Sequence, residues 1–150
     1  TLWGHLPHDT NWSVESYIKL YTFNTVEEVI SLDSLLEERL VKNCMLFLMR
    51  DKIIPMWEDP LNKSGGCFSY KILNKNVKSV WTNLSYAITG ETSTKNKNLS
   101  GIINGITISP KKNFCVVKIW TNSCDYINPD IILPIPNMDP HGCLFKKHKC

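Results

Sequence analysis

The sequence predicts an α+β domain in which an antiparallel sheet carries helices on one face. Five short runs rich in β-branched and aromatic residues are typical of strands, and two stretches with apolar residues at helical spacing lie between them. Because the strands come in groups and do not alternate with helices, a layered α+β architecture is favoured. Turn composition at 109–113 predicts that the last two strands form a hairpin. The predicted strands cover residues 17–23, 44–49, 67–72, 102–108 and 114–120.

The two predicted helices have recognisable ends. Thr25 and Glu28 match a capping box in front of the first apolar pattern. Asp33-Ser34 is expected either to interrupt this helix or to cap a second segment. The second pattern begins at Val77, and Gly90 supplies the residue that commonly ends a helix.

Length and composition indicate a single domain over residues 1–150. With 150 residues, 43% of them hydrophobic, the chain is long enough to bury a core of its own. The net charge of +3 is small for a protein that binds long nucleic acid through many phosphates, so a DNA partner is not expected. No apolar run of about 18 residues and no secretory pattern is present, which predicts a cytoplasmic protein with no membrane partner and with reduced cysteines.

The segment Pro55-Met56-Trp57-Glu58-Asp59 carries the clearest functional signal. It places a large aromatic ring beside a carboxylate in a stretch that is too polar and too rich in breakers for ordinary core. An indole stacks well on a cationic ring, and a carboxylate accepts hydrogen bonds but donates none. A purine with a positive charge and adjacent N–H donors fits both, and 7-methylguanine, the head of the messenger RNA 5′ cap, is such a ring. The alternative is that Trp57 anchors a turn and Glu58 is solvated surface.

The other tryptophans lie in different settings. Trp12 occupies a polar loop before a strand, so it is expected to face Trp57 across a ligand. Trp81 lies on the apolar stripe of the second helix, and both Trp81 and Trp3 are expected to pack in the core. A cationic purine between two indoles gains up to roughly 2 kcal/mol per face, and the Glu58 carboxylate adds ~1.5–3 kcal/mol.

These motifs occur together in one known family. In chain order they are Trp12 in its loop, Phe23 to Glu28, Pro55 to Asp59 with Asn62 to Gly66, Trp81 with Gly90-Glu91, and Ile119 to Thr121. Over about residues 2–123, in order and spacing, the chain resembles the eukaryotic translation initiation factor 4E family, the cap-binding proteins of translation. Residues 124–150 form a divergent, proline-rich segment.

The resemblance implies a curved antiparallel sheet with helices on its convex face and a cap-binding slot on its concave face. It implies that Trp12 and Trp57 stack on the methylguanine, that Glu58 binds its N1 and N2 edge, and that Trp120 touches the N7 methyl group. The implied function is binding of capped mRNA in translation initiation, without a cofactor.

The cap phosphates present a first departure from the family. The two family positions that supply an Arg and a Lys fall on Thr107 and Val116, which cannot act as cations. Lys111, Lys112 and Lys118 are candidates to bind phosphate from shifted positions. Lys118 is favoured because it shares a strand face with the third tryptophan of the slot, whereas the other two are equally well explained as solvated hairpin lysines.

The convex surface presents a second departure. By resemblance, a helical motif of the 4G scaffold docks there on a Val, a Trp and two Leu residues. Val26 is retained, but Ile30 replaces the Trp, and Thr82 and Tyr86 replace the leucines. Losing an indole hot spot costs ~2 kcal/mol or more, so we expect either no recruitment of the usual scaffold or a divergent partner. A cap-binding repressor or competitor is therefore an alternative to an initiation factor.

The carboxyl-terminal segment presents a third departure. Prolines at positions 129, 134, 136 and 140 predict irregular structure without a long helix. Two His-x-Cys pairs offer a weak zinc signal, but a frayed basic tail is favoured and no metal is expected. The four residues of these pairs are His141, Cys143, His148 and Cys150.

The sequence gives less support to two further function classes. No Ser, Cys or carboxylate stands in a recognisable nucleophilic or acid–base pattern, and all four histidines lie towards the chain ends, so catalysis is not expected. A general single-stranded RNA binder that uses the same tryptophans as a stacking platform is an alternative. Such a protein would respond to RNA length more than to cap methylation, and its affinity would fall steeply with salt.

Overall fold

The computed structural model describes residues 1–148, in which seven strands form one open, curved antiparallel sheet. The spatial order is β2-β1-β3-β5-β6-β4-β7, and every neighbouring pair is antiparallel. The predicted α+β class is confirmed. The strands are β1 (Leu2–His5), β2 (Tyr17–Tyr21), β3 (Met45–Met49), β4 (Gly66–Leu73), β5 (Ile103–Pro110), β6 (Phe114–Thr121) and β7 (Leu144–Lys147).

The α-helices of the described residues are α1 (Val26–Leu35), α2 (Glu38–Asn43), α3 (Pro60–Lys63) and α4 (Val77–Thr89). Helix α4 packs against the sheet through β4 and β5 and also contacts α1 and α2. Five short 3-10 turns complete the regular structure at Val14–Ser16, Asn74–Asn76, Lys97–Ile102, Pro129–Ile131 and Pro140–Gly142.

The first helix begins as predicted. The N–H of Glu28 donates to Thr25 Oγ1 at 3.2 Å, while the Glu28 carboxylate accepts from the N–H of Asn24 at 2.8 Å. The chain does not break at Asp33-Ser34, because Asp33 uses its carboxylate to bind α4, accepting from Lys78 Nζ at 2.8 Å. Helix α1 continues to Leu35, and α2 follows it as a second segment, the alternative in which the helix is interrupted, with the break after Leu35.

The main core lies between the convex face of the sheet and α4. Trp81 is 2% exposed, which confirms its predicted core position. Trp3 differs from the prediction, since it is only partly buried and packs in a smaller cluster on the opposite face with Phe47. Successive side chains of a strand point to opposite faces, so Leu2 enters the main core and Trp3 cannot. The fully buried side chains of this core include Phe68, Ile72, Leu84, Ile106 and Ile119.

Two strands and part of the tail were not predicted. Strand β1 pairs with both β2 and β3, and β7 pairs with β4 at the sheet edge. The expected frayed tail is therefore wrong for Leu144–Lys147, because β4 offers an unpaired backbone edge and Phe145 packs edge-on against Phe68 at 4.9 Å. In the rest of the segment from residue 124 to 148 the structure is irregular apart from two 3-10 turns, as expected.

The described residues show no membrane-spanning helix and no metal site. No helix within 1–148 is long and apolar enough to cross a membrane. Cys44, Cys67, Cys115, Cys124 and Cys143 are free thiols. No three His, Cys, Asp or Glu side chains in that range lie together in a geometry that could hold a metal, and Cys150, one of the four weak zinc candidates, lies outside it.

Candidate functional site

A cavity of about 300 Å³ opens on the concave side of the sheet. It brings together the predicted residues Trp12, Trp57, Glu58, Lys118 and Trp120, which lie far apart in the sequence. Lys111 and Lys112 do not line it and are exposed beside the β5–β6 turn. The full lining is Trp12, Tyr17, Met45, Phe47, Pro55, Met56, Trp57, Glu58, Thr107, Ser109, Lys118 and Trp120.

The floor of this cavity is built from three adjacent strands. Phe47 of β3 pairs with Thr107 of β5, which in turn pairs with Lys118 of β6. Paired residues of neighbouring strands point to the same face, and alternate residues along each strand do so as well. Met45 and Trp120 therefore continue the same surface, and the register alone fixes the order of side chains across the floor.

One wall is the loop that carries Trp12. Its indole stacks on the imidazole of His5, with ring centroids 3.9 Å apart and planes 5° from parallel. The edge of Tyr17 approaches the same pair, 5.3 Å from His5 and 6.2 Å from Trp12. Trp12 remains 49% exposed, so the stacking with His5 holds the indole while leaving much of its surface accessible from the cavity.

The opposite wall is the loop that carries Trp57, and buried polar groups hold its shape. Asp59 accepts a hydrogen bond from the N–H of Ile54 at 2.9 Å. The side-chain amide of Asn62, which is fully buried, donates to the carbonyls of Ile54 at 3.0 Å and Met56 at 2.8 Å. Trp57 is 48% exposed at the tip of this loop, so it is presented by a fixed backbone and not by its own packing.

A second buried amide supports the first. Asn104 donates through Nδ2 to Asn62 Oδ1 and to the carbonyl of Leu61, both at 2.8 Å. The β5–β6 register shifts between Ile103 and Gly105, a bulge that lets Asn104 leave the regular alternation of β5. Sequence reasoning missed Asn104, although an amide inside a run of isoleucines was the available signal.

The cavity contains charged side chains without an ion pair and polar atoms without a hydrogen bond among the described residues. None of the four ion pairs formed within 1–148 involves Glu58 or Lys118. Trp120 Nε1 and Thr107 Oγ1 are buried and have no hydrogen-bond partner among the described residues. Burial raises the pKa of the Tyr17 hydroxyl, and the nearby negative charge of Glu58 raises it further.

His148 is a further residue that sequence reasoning did not place at the site. Its ring lies 4.8 Å from that of Trp120, and its Nδ1 is 2.8 Å from the carbonyl oxygen of Asn62. The backbone N–H of His148 donates to the carbonyl of Gly65 at 2.9 Å. Burial lowers the pKa of His148, the bond to Asn62 opposes this, and the positive charge of Lys118 lowers it further. The neutral ring is therefore favoured beside the floor of the cavity.

The predicted partner surface lies on the other side of the molecule. Val26 and Ile30 are 41% and 47% exposed on α1. Thr82 Oγ1 donates to both carboxylate oxygens of Asp33 at 3.1 Å, and the Tyr86 hydroxyl donates to one of them at 3.4 Å. Where the resemblance implies two leucines, hydroxyl groups thus connect α4 to α1.

The position of His148 predicts a pH-dependent contribution to stability. A histidine whose folded pKa is lowered stabilises the fold above its ordinary pKa of about 6.5, and this contribution is lost as the pH falls below that value. The difference in free energy of unfolding between the parent and His148→Gln, measured by urea denaturation, is expected to shrink from about pH 7.5 to about pH 5.5. Leu144→Ala, an exposed non-titrating change on β7, should give a constant difference. A His148 difference that grows at low pH would contradict the assignment.

The chain is similar in sequence to proteins of one known family. The model of the family described as eukaryotic initiation factor 4E matches residues 1–135. Eukaryotic translation initiation factor 4E-1 of Caenorhabditis elegans is 30% identical over 132 residues, covering 82% of this chain and 60% of that protein. The corresponding protein 4E-3 of Arabidopsis thaliana is 31% identical over 128 residues, covering 82% of this chain and 52% of that protein.

A solved structure shows the same fold. It is the complex of Ascaris suum eIF4E-3 with m7G cap, which superposes with a TM-score of 0.70 at 25% identity and covers 81% of this chain and 69% of that one. The present chain thus spans between half and two thirds of the length of these two curated relatives. Since the family model matches nine tenths of its residues, the chain belongs to the eukaryotic initiation factor 4E family.

Proposed function

We propose that this chain binds the 7-methylguanosine 5′ cap of mRNA and acts in translation initiation in the cytoplasm. The observation that carries the proposal is that Trp12, Trp57, Glu58 and Trp120, from three separate segments, line one concave cavity. The related Ascaris suum protein was solved with an m7G cap, which supports the same ligand here.

Recognition of the methylated base rests on stacking between two indoles. Trp12 and Trp57 line the cavity and are each about half exposed, so both present aromatic surface to a flat ligand. Methylation at N7 makes guanine cationic, and each indole face then contributes up to roughly 2 kcal/mol. An uncharged guanine loses these two terms, which predicts discrimination on the order of 10²- to 10³-fold.

The edge and the methyl group of the base have separate partners in this proposal. The Glu58 carboxylate, which has no ion-pair partner in 1–148, accepts hydrogen bonds from N1–H and the N2 amino group. Such bonds to a charged group contribute ~1.5–3 kcal/mol. Trp120, 8% exposed at the floor, meets the N7 methyl group by apolar contact.

Methyl dependence is the first prediction. Quenching of tryptophan fluorescence should show 7-methyl-GTP binding about 100-fold or more tighter than GTP, because only the methylated base gains the cation–π terms. Trp57→Ala and Glu58→Ala should each lose most of this binding. Glu27→Ala, which removes an exposed carboxylate from α1 on the other face, serves as the control.

Two results would count against the proposal. Equal affinity of the parent for 7-methyl-GTP and GTP would contradict cap recognition. Affinity that grows with the length of uncapped RNA and weakens steeply with salt would indicate the general single-stranded RNA binder.

Phosphate binding is assigned to Lys118 in preference to Lys111 and Lys112. Lys118 lines the cavity and pairs with Thr107, whose buried hydroxyl has no partner within the described residues. The two hairpin lysines are exposed outside the cavity. A cation beside the stacked base can bind the phosphates of the same nucleotide.

The corresponding prediction separates the contribution of the phosphates to affinity from that of the base. Lys118→Ala should weaken 7-methyl-GTP about 10-fold and leave the phosphate-free nucleoside 7-methylguanosine within about twofold, since only the nucleotide carries charge for Lys118. Lys111→Ala and Lys112→Ala are the matched controls and should change neither by more than about twofold. A larger loss from either hairpin variant would reassign the phosphate site.

A second candidate role is a cap-binding competitor that does not recruit the usual scaffold. The observation that favours it is the hydrogen bonding of Thr82 and Tyr86 to Asp33, which makes part of the convex surface polar. Ile30, in the position of the family's indole, offers a smaller anchor. Burying these hydroxyl groups and the Asp33 carboxylate under an apolar helix would cost free energy that leucines would not.

A peptide titration tests this role. A standard 4G scaffold peptide, followed by calorimetry, should bind the parent more weakly than about 10 μM because the indole anchor is lost. The variant Ile30→Trp with Thr82→Leu and Tyr86→Leu should gain at least about 10-fold. Micromolar or tighter binding by the parent would instead place the chain with the scaffold-recruiting initiation factors.

A further inference from the structure

The imidazole of His5 forms the back of the Trp12 wall. Its ring is parallel to the indole within 5° at 3.9 Å, and His5 itself is only 3% exposed. We propose that His5 is a positioning residue, which sets the plane of the Trp12 indole so that a methylated base can stack on it. This inference rests on the proposed function, because it concerns the geometry of the same slot.

The two ring nitrogens of His5 lie within hydrogen-bond distance of both ends of the Trp12 loop. Nδ1 lies 3.0 Å from the carbonyl oxygen of Leu6, and Nε2 lies 2.9 Å from that of Asn11, the residue directly before Trp12. The imidazole therefore connects the end of β1 to the backbone that carries the indole. A phenyl ring in this place would stack on Trp12 but could not form a hydrogen bond to that backbone.

The imidazole can hold the loop by hydrogen bonding in either tautomer. A carbonyl oxygen only accepts hydrogen bonds, so the ring N–H donates to Leu6 when it is on Nδ1 and to Asn11 when it is on Nε2.

Fixing the indole before the ligand arrives raises affinity without a new ligand contact. Residues 6–13 contain no strand or α-helix, so the orientation of Trp12 depends on the rings packed against it, the parallel imidazole of His5 and the more distant ring of Tyr17. A ring that must be ordered on binding costs affinity, and a ring already ordered does not. His5 thus acts on the cap through Trp12 and does not itself contact the base.

The test compares three side chains at position 5 in the full chain, with 7-methyl-GTP as the probe. His5→Ala removes the stack and the hydrogen bonding to the loop, and it should weaken binding about fivefold to tenfold. His5→Phe restores the stack and should return the affinity to within about threefold of the parent. His8→Ala, which removes an exposed imidazole from the same loop, should have no effect.

Rescue by His5→Phe distinguishes positioning of the indole from a general loss of stability, because the phenyl ring restores the stacked plane behind Trp12. Melting temperatures measured alongside show whether His5→Ala is folded.

Each contrary result has a definite meaning. A folded His5→Ala variant with parental affinity, or a His5→Phe variant as weak as His5→Ala, would each overturn the inference while methyl discrimination stays intact. A parent that does not distinguish 7-methyl-GTP from GTP would overturn the proposed function and this inference with it.

Discussion

The register of the central strands is the constraint on which the rest of the structure depends. Pairing of Phe47 with Thr107, and of Thr107 with Lys118, places one set of side chains on the concave face. The alternate residues, such as Ile106 and Ile119, pair on the convex face and form the core beneath α4. A slip of one residue would exchange the two sets and destroy the core and the cavity together.

Both walls of the cavity are loops that buried polar side chains hold by hydrogen bonds. Asn62 donates to the carbonyls of Ile54 and Met56 in the Trp57 loop, and Asn104 donates to Asn62. His5 performs the equivalent task for Trp12. A polar group is costly to bury unless it is hydrogen-bonded, so losing one of these bonds would destabilise the loop that the bond holds.

Features encoded over a few residues could be predicted from the sequence, and features that need distant partners could not. The capping box at Thr25 and the helix that begins at Val77 depend on local spacing and were correct. Strand β7 depends on the free edge of β4, and the roles of His5 and Asn104 depend on chain segments brought close by the fold. The Trp57-Glu58 motif could be recognised because both residues lie in one loop. The floor of the cavity could not, because it is formed by side chains from three paired strands.

The most direct test of cap recognition is a crystal structure of the chain with 7-methyl-GTP. We expect the methylated base to lie flat between the Trp12 and Trp57 indoles, with Glu58 within hydrogen-bond distance of N1 and N2 and Trp120 against the methyl group. A base bound outside the concave cavity, or one that contacts a single indole with its edge turned away from Glu58, would contradict it.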